Sequence, residues 1–152
     1  MIKMKVTTKV DFSGLKKLRK QLQENTVNVG YINSKDHWMS EGVPVAQVAS
    51  HLHYWSPWKG QFMLSEDNKE QVTNIISSEL HNINIGSIAV FSRKVGSKAV
   101  KQIESNIVNV TTPRNSKEWA DIKTFNDPLV FGSRIGESPN LISELTFKVG
   151  NV

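Results

Sequence analysis

Apolar and polar positions alternate strictly over the first twelve residues. Ile2, Met4, Val6, Thr8, Val10 and Phe12 fall on one face, and Lys3, Lys5, Thr7, Lys9 and Asp11 on the other. A period of two predicts a strand with one buried and one wet face. Ser13 then stands where a helix cap is expected, ahead of Leu15, Leu18 and Leu22 at helical spacing with basic residues between them. TVNVGYI returns to a period of two through Val27, Val29 and Tyr31, predicting a second short strand. Beyond the polar run NSKDHWMSEG, Val45, Val48, Ala49 and Leu52 recur at i, i+3, i+4 and i+7. This predicts a helix that opens at Pro44, runs to about Tyr54 and stops before Pro57.

Ser65, followed by Glu66 and Asp67, marks the next helix start, because negative charge complements a helix N-terminus. Its apolar stripe is Val72, Ile75, Ile76, Leu80 and Ile83. After Gly86 a longer helix carries Ile88, Phe91, Val95, Ala99, Ile103 and Ile107; Gly96 weakens its middle without ending it. From about 109 to 140 the periodicity is lost, and three prolines and two glycines interrupt scattered aromatics. An irregular stretch of this length is expected to be functional or to become ordered on a partner. A final strand is predicted from Leu141, Leu145, Phe147 and Val149 opposed to Glu144, Thr146 and Lys148. The order β-α-β-α-α-α-loop-β predicts one α+β domain over residues 1–152. Its small mixed or antiparallel sheet is built from both chain ends and packs against two or three amphipathic helices.

Composition narrows the function classes. The 152 residues carry no cysteine, so disulfides and thiolate metal sites are excluded. No apolar run reaches the roughly 20 residues of a membrane span, and MIKMKV lacks the apolar core of a signal peptide. The expectation is a soluble protein, cytosolic at least where it is made, with no membrane contact. The net charge of +5, with lysine and arginine gathered at Lys3–Lys20 and Arg93–Lys101, raises the prospect of nucleic acid or an acidic partner. Much of the first cluster is also what the wet faces of amphipathic elements require.

The stretch HLHYWSPWKGQFML, residues 51–64, gathers the most conspicuous chemistry. His51 and His53 resemble a metal pair, but on a helix side chains two apart point about 200° from each other. His37 has Glu41 four residues on but no helical period to align the two, His81 has no such partner, and no H-E-x-x-H occurs. The histidines are therefore expected to be solvated and no metal is expected. G-x-S-x-G, the P-loop and G-x-G-x-x-G are all absent, so no catalytic residue, cofactor or enzymatic activity is expected. The aromatic residues remain. Trp55, Trp58 and Phe62 either cover the core or anchor a subunit contact, where tryptophan is over-represented. Arg114, Trp119, Phe125 and Phe131 of the irregular segment are the other candidate interface residues. Trp58→Ala is expected to perturb assembly more than monomer stability. Stacking on single-stranded nucleic acid ranks last, since Lys59 alone supplies positive charge there.

The order of these motifs resembles the tail-completion, or head–tail joining, proteins of long-tailed bacteriophages, related to lambda-like minor tail and Mu-like virion-morphogenesis proteins. In that family a strand ending V-x-V-G precedes a helix of the form V-A-x-x-A-x-x-x-E-F-G. An R-P-F-L-like turn then leads into a helix that begins with acidic residues. Here VNVGYI (27–32), VAQVASHLHYW (45–55) and QFML (61–64) before SEDNKEQV stand in those places, with His53-Tyr54-Trp55 replacing E-F-G and Gly60-Gln61 replacing R-P. Later, TPRNS (112–116) and PNLISELTFKV (139–149) are similar to the family's irregular segment and closing strand.

The resemblance implies a non-enzymatic structural protein of the virion. It would act as a homo-oligomeric ring in the neck that joins the tail to the head. The implied partners are portal or connector proteins, tail terminator or tail tube proteins, and DNA passing through the channel without sequence readout. A tail terminator ring that caps the tube is the near alternative, and a basic nucleic-acid-binding module is the second.

Overall fold

The computed structural model describes residues 11–38, 41–83, 87–118, 121, 129 and 139–150. The predicted strand over the first residues lies outside them, except Asp11 and Phe12, which precede the first helix. Six principal elements follow in the order α1 (Ser13–Glu24), β1 (Val27–Gly30), α2 (Val45–Trp55), α3 (Lys69–Glu79), α4 (Ile88–Asn109) and β2 (Thr146–Val149). Single 3-10 turns, Glu66–Asn68 and Leu80–Asn82, flank α3. The chain is α+β: β1 and β2, from opposite halves of the sequence, pair antiparallel with Val27 opposite Val149 and Gly30 opposite Thr146. An isolated antiparallel bridge joins Asp36 to Pro44.

Helix α4 is the spine. Ile88, Phe91, Ala99, Ile103 and Ile107 are buried along it, and the helix runs unbroken through Gly96. The two-stranded sheet lies against this helix, where Gly96 leaves room for the Phe147 ring of β2. Toward its C-terminal end, Ile103 and Ile107 join Val45 and Ala49 of α2, Phe62, Val110, Leu129, Leu141 and Leu145 in one hydrophobic cluster. Burying each such side chain contributes about 1.5–3 kcal/mol, so this cluster dominates the stability of the fold. Asn106 sits beside it, 9% exposed, and is fully used. Its Nδ2 donates to Phe62 O (3.1 Å) and Gln71 Oε1 (2.9 Å), while its Oδ1 accepts from Gln102 Nε2 (2.9 Å).

Several local expectations change. Ser13 lies inside the first turn of α1, and Asp11 serves the helix end instead, its carboxylate accepting from Ser13 N (2.8 Å) and Ser13 Oγ (3.1 Å). Those bonds favour the charged form and hold the Asp11 carboxyl below its ordinary value. No residue of α1 is buried; Leu15 is 62% exposed, since no described element covers that part of its leucine stripe. The α-helix predicted from Ser65 begins at Lys69 after a 3-10 turn. Asn68 folds back there, accepting from Ser65 N and donating to Met63 O, both at 2.6 Å.

The predicted strand from Leu141 is strand only from Thr146. Asn140 Oδ1 accepts from Ile142 N and Ser143 N, each at 2.9 Å, and winds the chain into a helical turn. Leu141 and Leu145 therefore reach the core as an i, i+4 pair, not as alternate strand positions.

Candidate interaction surface

Helix α2 arises where the periodicity places it. Pro44 precedes it with extended backbone, and Ser34 Oγ accepts from Ala46 N (2.9 Å), capping the helix across the loop. Its inner face is Val45, Ala49 and His53, spaced four apart. The helix ends at Trp55 because Ser56, ahead of Pro57, is extended (φ −90°, ψ 169°). Ser56 Oγ then ties the turn: it donates to Leu52 O and accepts from Trp58 N. Gly60, at φ +71°, allows its N–H to return to His53 O at 3.0 Å.

The two histidines of this helix separate as the geometry requires. His51 is exposed, while His53 is buried with its ring edge-to-face on Phe62, centroids 5.6 Å apart. The expectation that the histidines are solvated holds for His51 and His81 and fails for His37 and His53, each 5% exposed. His53 is buried because it continues the Val45–Ala49 face. Burial also lowers the His37 pKa. Among the described residues no three His, Asp or Glu side chains are grouped to hold a metal ion.

The candidate aromatic residues part company. Phe62 is fully buried in the hydrophobic cluster, which corrects its assignment to an interface: QF follows a turn that folds inward beneath α2. Trp58 is half-buried, packs against the same cluster, and donates Nε1–H to Pro113 O at 2.8 Å. It fastens the turn to the start of the irregular segment, so its loss is expected to lower the stability of the monomer itself. Arg114, next to that anchor, is exposed. Trp119, Phe125 and Phe131 lie outside the described residues. Only part of 109–140 is described, and there Val110 and Leu129 enter the core and Pro139 O accepts from Trp38 N at 3.1 Å.

Trp55 projects outward, 81% exposed, beside Tyr54 at 58%. Behind them Val43, Val48, His51 and Leu52 line a shallow apolar depression of about 260 Å³. No residue of α2 is an Asp, Glu, Lys or Arg, which is unusual for a helix with an exposed face. Charge depletion with exposed Trp and Tyr is the composition of an interface centre.

A second apolar surface was not anticipated. Between the end of α1, α3 and the N-terminal half of α4 runs an open groove of about 470 Å³ whose walls include Leu22, Val27, Ile76, Leu80, Phe91 and Val95. Ile76 and Leu80 belong to the apolar stripe that periodicity places against the core, but they are 39% and 51% exposed. The available signal was a surplus: α3 and its following turn carry more apolar positions than one packing face needs. Below this region the buried Glu79 carboxylate pairs with Lys98 Nζ (2.5 Å) and Lys94 Nζ (3.9 Å), joining α3 to α4. A smaller cleft of about 210 Å³ has His53 and Tyr31 among its walls. The Tyr31 hydroxyl donates to Leu141 O (2.9 Å), and burial raises its pKa.

Among the described residues no helix is long and apolar enough to cross a membrane. No protein-family model, curated protein or solved structure matches this chain.

Proposed function

We propose that this chain is a structural virion protein of the phage neck, completing the tail and joining it to the head connector as part of a ring around the DNA channel. The carrying observation is the outer face of α2, an uncharged helix that ends in exposed Tyr54 and Trp55. It belongs to the same stretch that carries the family resemblance, and a protein that works by contacts requires such a surface. The run of motifs from Val27 to Val149 adds support. The helix of the V-A-x-x-A pattern ends at Trp55, the turn leads through QFML into the next helix, and the closing segment returns to pair with VNVG. Exposed cations on α1 (Lys16, Lys17, Arg19 and Lys20) suit contact with DNA phosphates without base readout.

The test is deletion of the gene from a phage that encodes it, followed by electron microscopy of the lysate. Filled heads and separate, normal-length tails are expected. Joined virions of normal form overturn the reading. Overlong tails transfer the role to a tail terminator, because a missing cap leaves tube growth unchecked. Normal virions together with salt-dependent DNA binding by the purified chain favour the nucleic-acid module.

A further inference from the structure

The chain carries a large apolar projection and an open apolar groove, and the two cannot satisfy each other within one molecule. Trp55 is not among the residues lining its own chain's groove. The groove uses Phe91, Val95 and Ala99 of α4, whereas the core beneath α2 uses Ile103 and Ile107, about 15 Å farther along the helix at 1.5 Å per residue. We propose that the occupant of the groove is a second copy of this chain, whose Trp55 inserts between α1, α3 and α4 in a head-to-tail contact.

Size and charge favour this occupant. Pockets of roughly 300–1,000 Å³ accept whole drug-sized ligands, so 470 Å³ accommodates an indole with neighbouring Tyr54 at its lip. A chain of net charge +5 repels copies of itself, so self-association needs at least one face that is not basic. Among the described residues α2 is the one helix with no charged side chain, and the loop ahead of it exposes two carboxylates, Asp36 and Glu41, against one cation, Lys35. Helix α1, which contributes Leu22 to the groove, carries four cations and one carboxylate. The neutral face with its acidic flank therefore meets the basic one.

The area is limited. One tryptophan buries roughly 150–250 Å², against the roughly 800 Å² per partner of a stable pair, so the contact is weak in dilute solution. Repetition compensates. A contact using different patches on the two copies leaves a free projection and a free groove at each step, and it closes into a ring when the rotation permits. That closure rests on the neck reading; the pairwise contact does not.

Sedimentation velocity over a concentration series reaching roughly 100 μM tests the contact with the full chain, Trp55→Ala and Leu80→Glu. Both variants change exposed positions, and unchanged circular dichroism and thermal midpoints establish their folding. The unaltered chain should associate with concentration, and each variant alone should stay monomeric, because every contact needs one projection and one groove. An equimolar mixture should give a 1:1 pair and nothing larger, since Trp55→Ala keeps the groove and Leu80→Glu keeps the projection. A monomeric unaltered chain overturns the contact, as does a variant that associates normally. A mixture that stays monomeric also overturns it, and points to a contact between identical patches. Separate heads and tails on gene deletion alongside any of these results would sink the contact and leave the neck reading standing. Normal virions with the 1:1 pair intact would do the reverse.

Discussion

Replacing Gly96 by alanine inverts a familiar expectation. In an exposed helix interior the change stabilises by about 1 kcal/mol, since glycine loses the most backbone freedom on folding. At Gly96 the added methyl would sit 2.3 Å from Phe147 Cδ2, 2.7 Å from Cγ and 2.8 Å from Cε2. Contact with Cγ, at the root of the ring, means that a turn about the ring axis cannot relieve the clash. Either Phe147 leaves its half-buried seat, forfeiting part of the roughly 1.5–3 kcal/mol a buried aromatic contributes, or α4 and β2 separate at a comparable overpacking cost of about 1–3 kcal/mol. Set against the helix gain, the middle of that range leaves Gly96→Ala destabilising by about 1 kcal/mol, which for a domain of this size lowers the thermal midpoint by roughly 2–4 °C.

Urea and thermal unfolding followed by circular dichroism measure this directly. In a Phe147→Ala background the clash is gone, and Gly96→Ala should then stabilise by about 1 kcal/mol, a coupling of about 2 kcal/mol or more across the cycle. An alanine variant as stable as the parent, or one with the same effect in both backgrounds, would show that the close approach of β2 to α4 is not what Gly96 permits.

Asn106→Leu should cost about 1–3 kcal/mol despite adding apolar surface, because it strips a donor from Phe62 O and partners from Gln71 and Gln102; urea midpoints check this. Lys98→Met removes the nearer cation from the buried Glu79 carboxylate, and a loss of about 1–3 kcal/mol is expected, while Glu79→Gln with Lys98→Met should recover part of it. His37, whose folded pKa is lowered, contributes stability that is whole above the unfolded value near 6.5 and declines as pH falls from there toward the folded value. His37→Gln should flatten that decline in urea midpoints taken from neutral to mildly acid pH. Trp58→Ala should lower the thermal midpoint by roughly 4–8 °C, about 2 kcal/mol for a half-buried indole, whereas Trp55→Ala should move it by little, as exposed substitutions generally do. Equal midpoint changes for the two would refute the division of core and surface roles between them.

What was legible in the sequence depended on how many physical facts had to be known at once. Helix α2 needed only its own residues: a period, a proline before it and a proline after it fixed both ends, and Val45 and Ala49 turned inward as the period requires. Helix α4 was likewise readable through five of its apolar positions. The final segment needed a competing local effect, the Asn140 side chain, whose bonds to Ile142 and Ser143 N–H groups turn an apparent strand into a helical turn. His53 needed the helix phase carried to its last turn, where a polar residue occupies the inward position and packs on Phe62. The apolar residues of α3 and α1 were the hardest. Periodicity counts apolar positions on a face without saying whether anything in the same chain covers them. Ile76, Leu80, Leu15 and Trp55 satisfy the apolar pattern of their elements, yet remain open among the described residues. A chain spending this much apolar surface on two separate faces is under a solubility cost that a solitary monomer does not need to bear. Covering each face with the other, copy against copy, removes that cost with surface the sequence already provides.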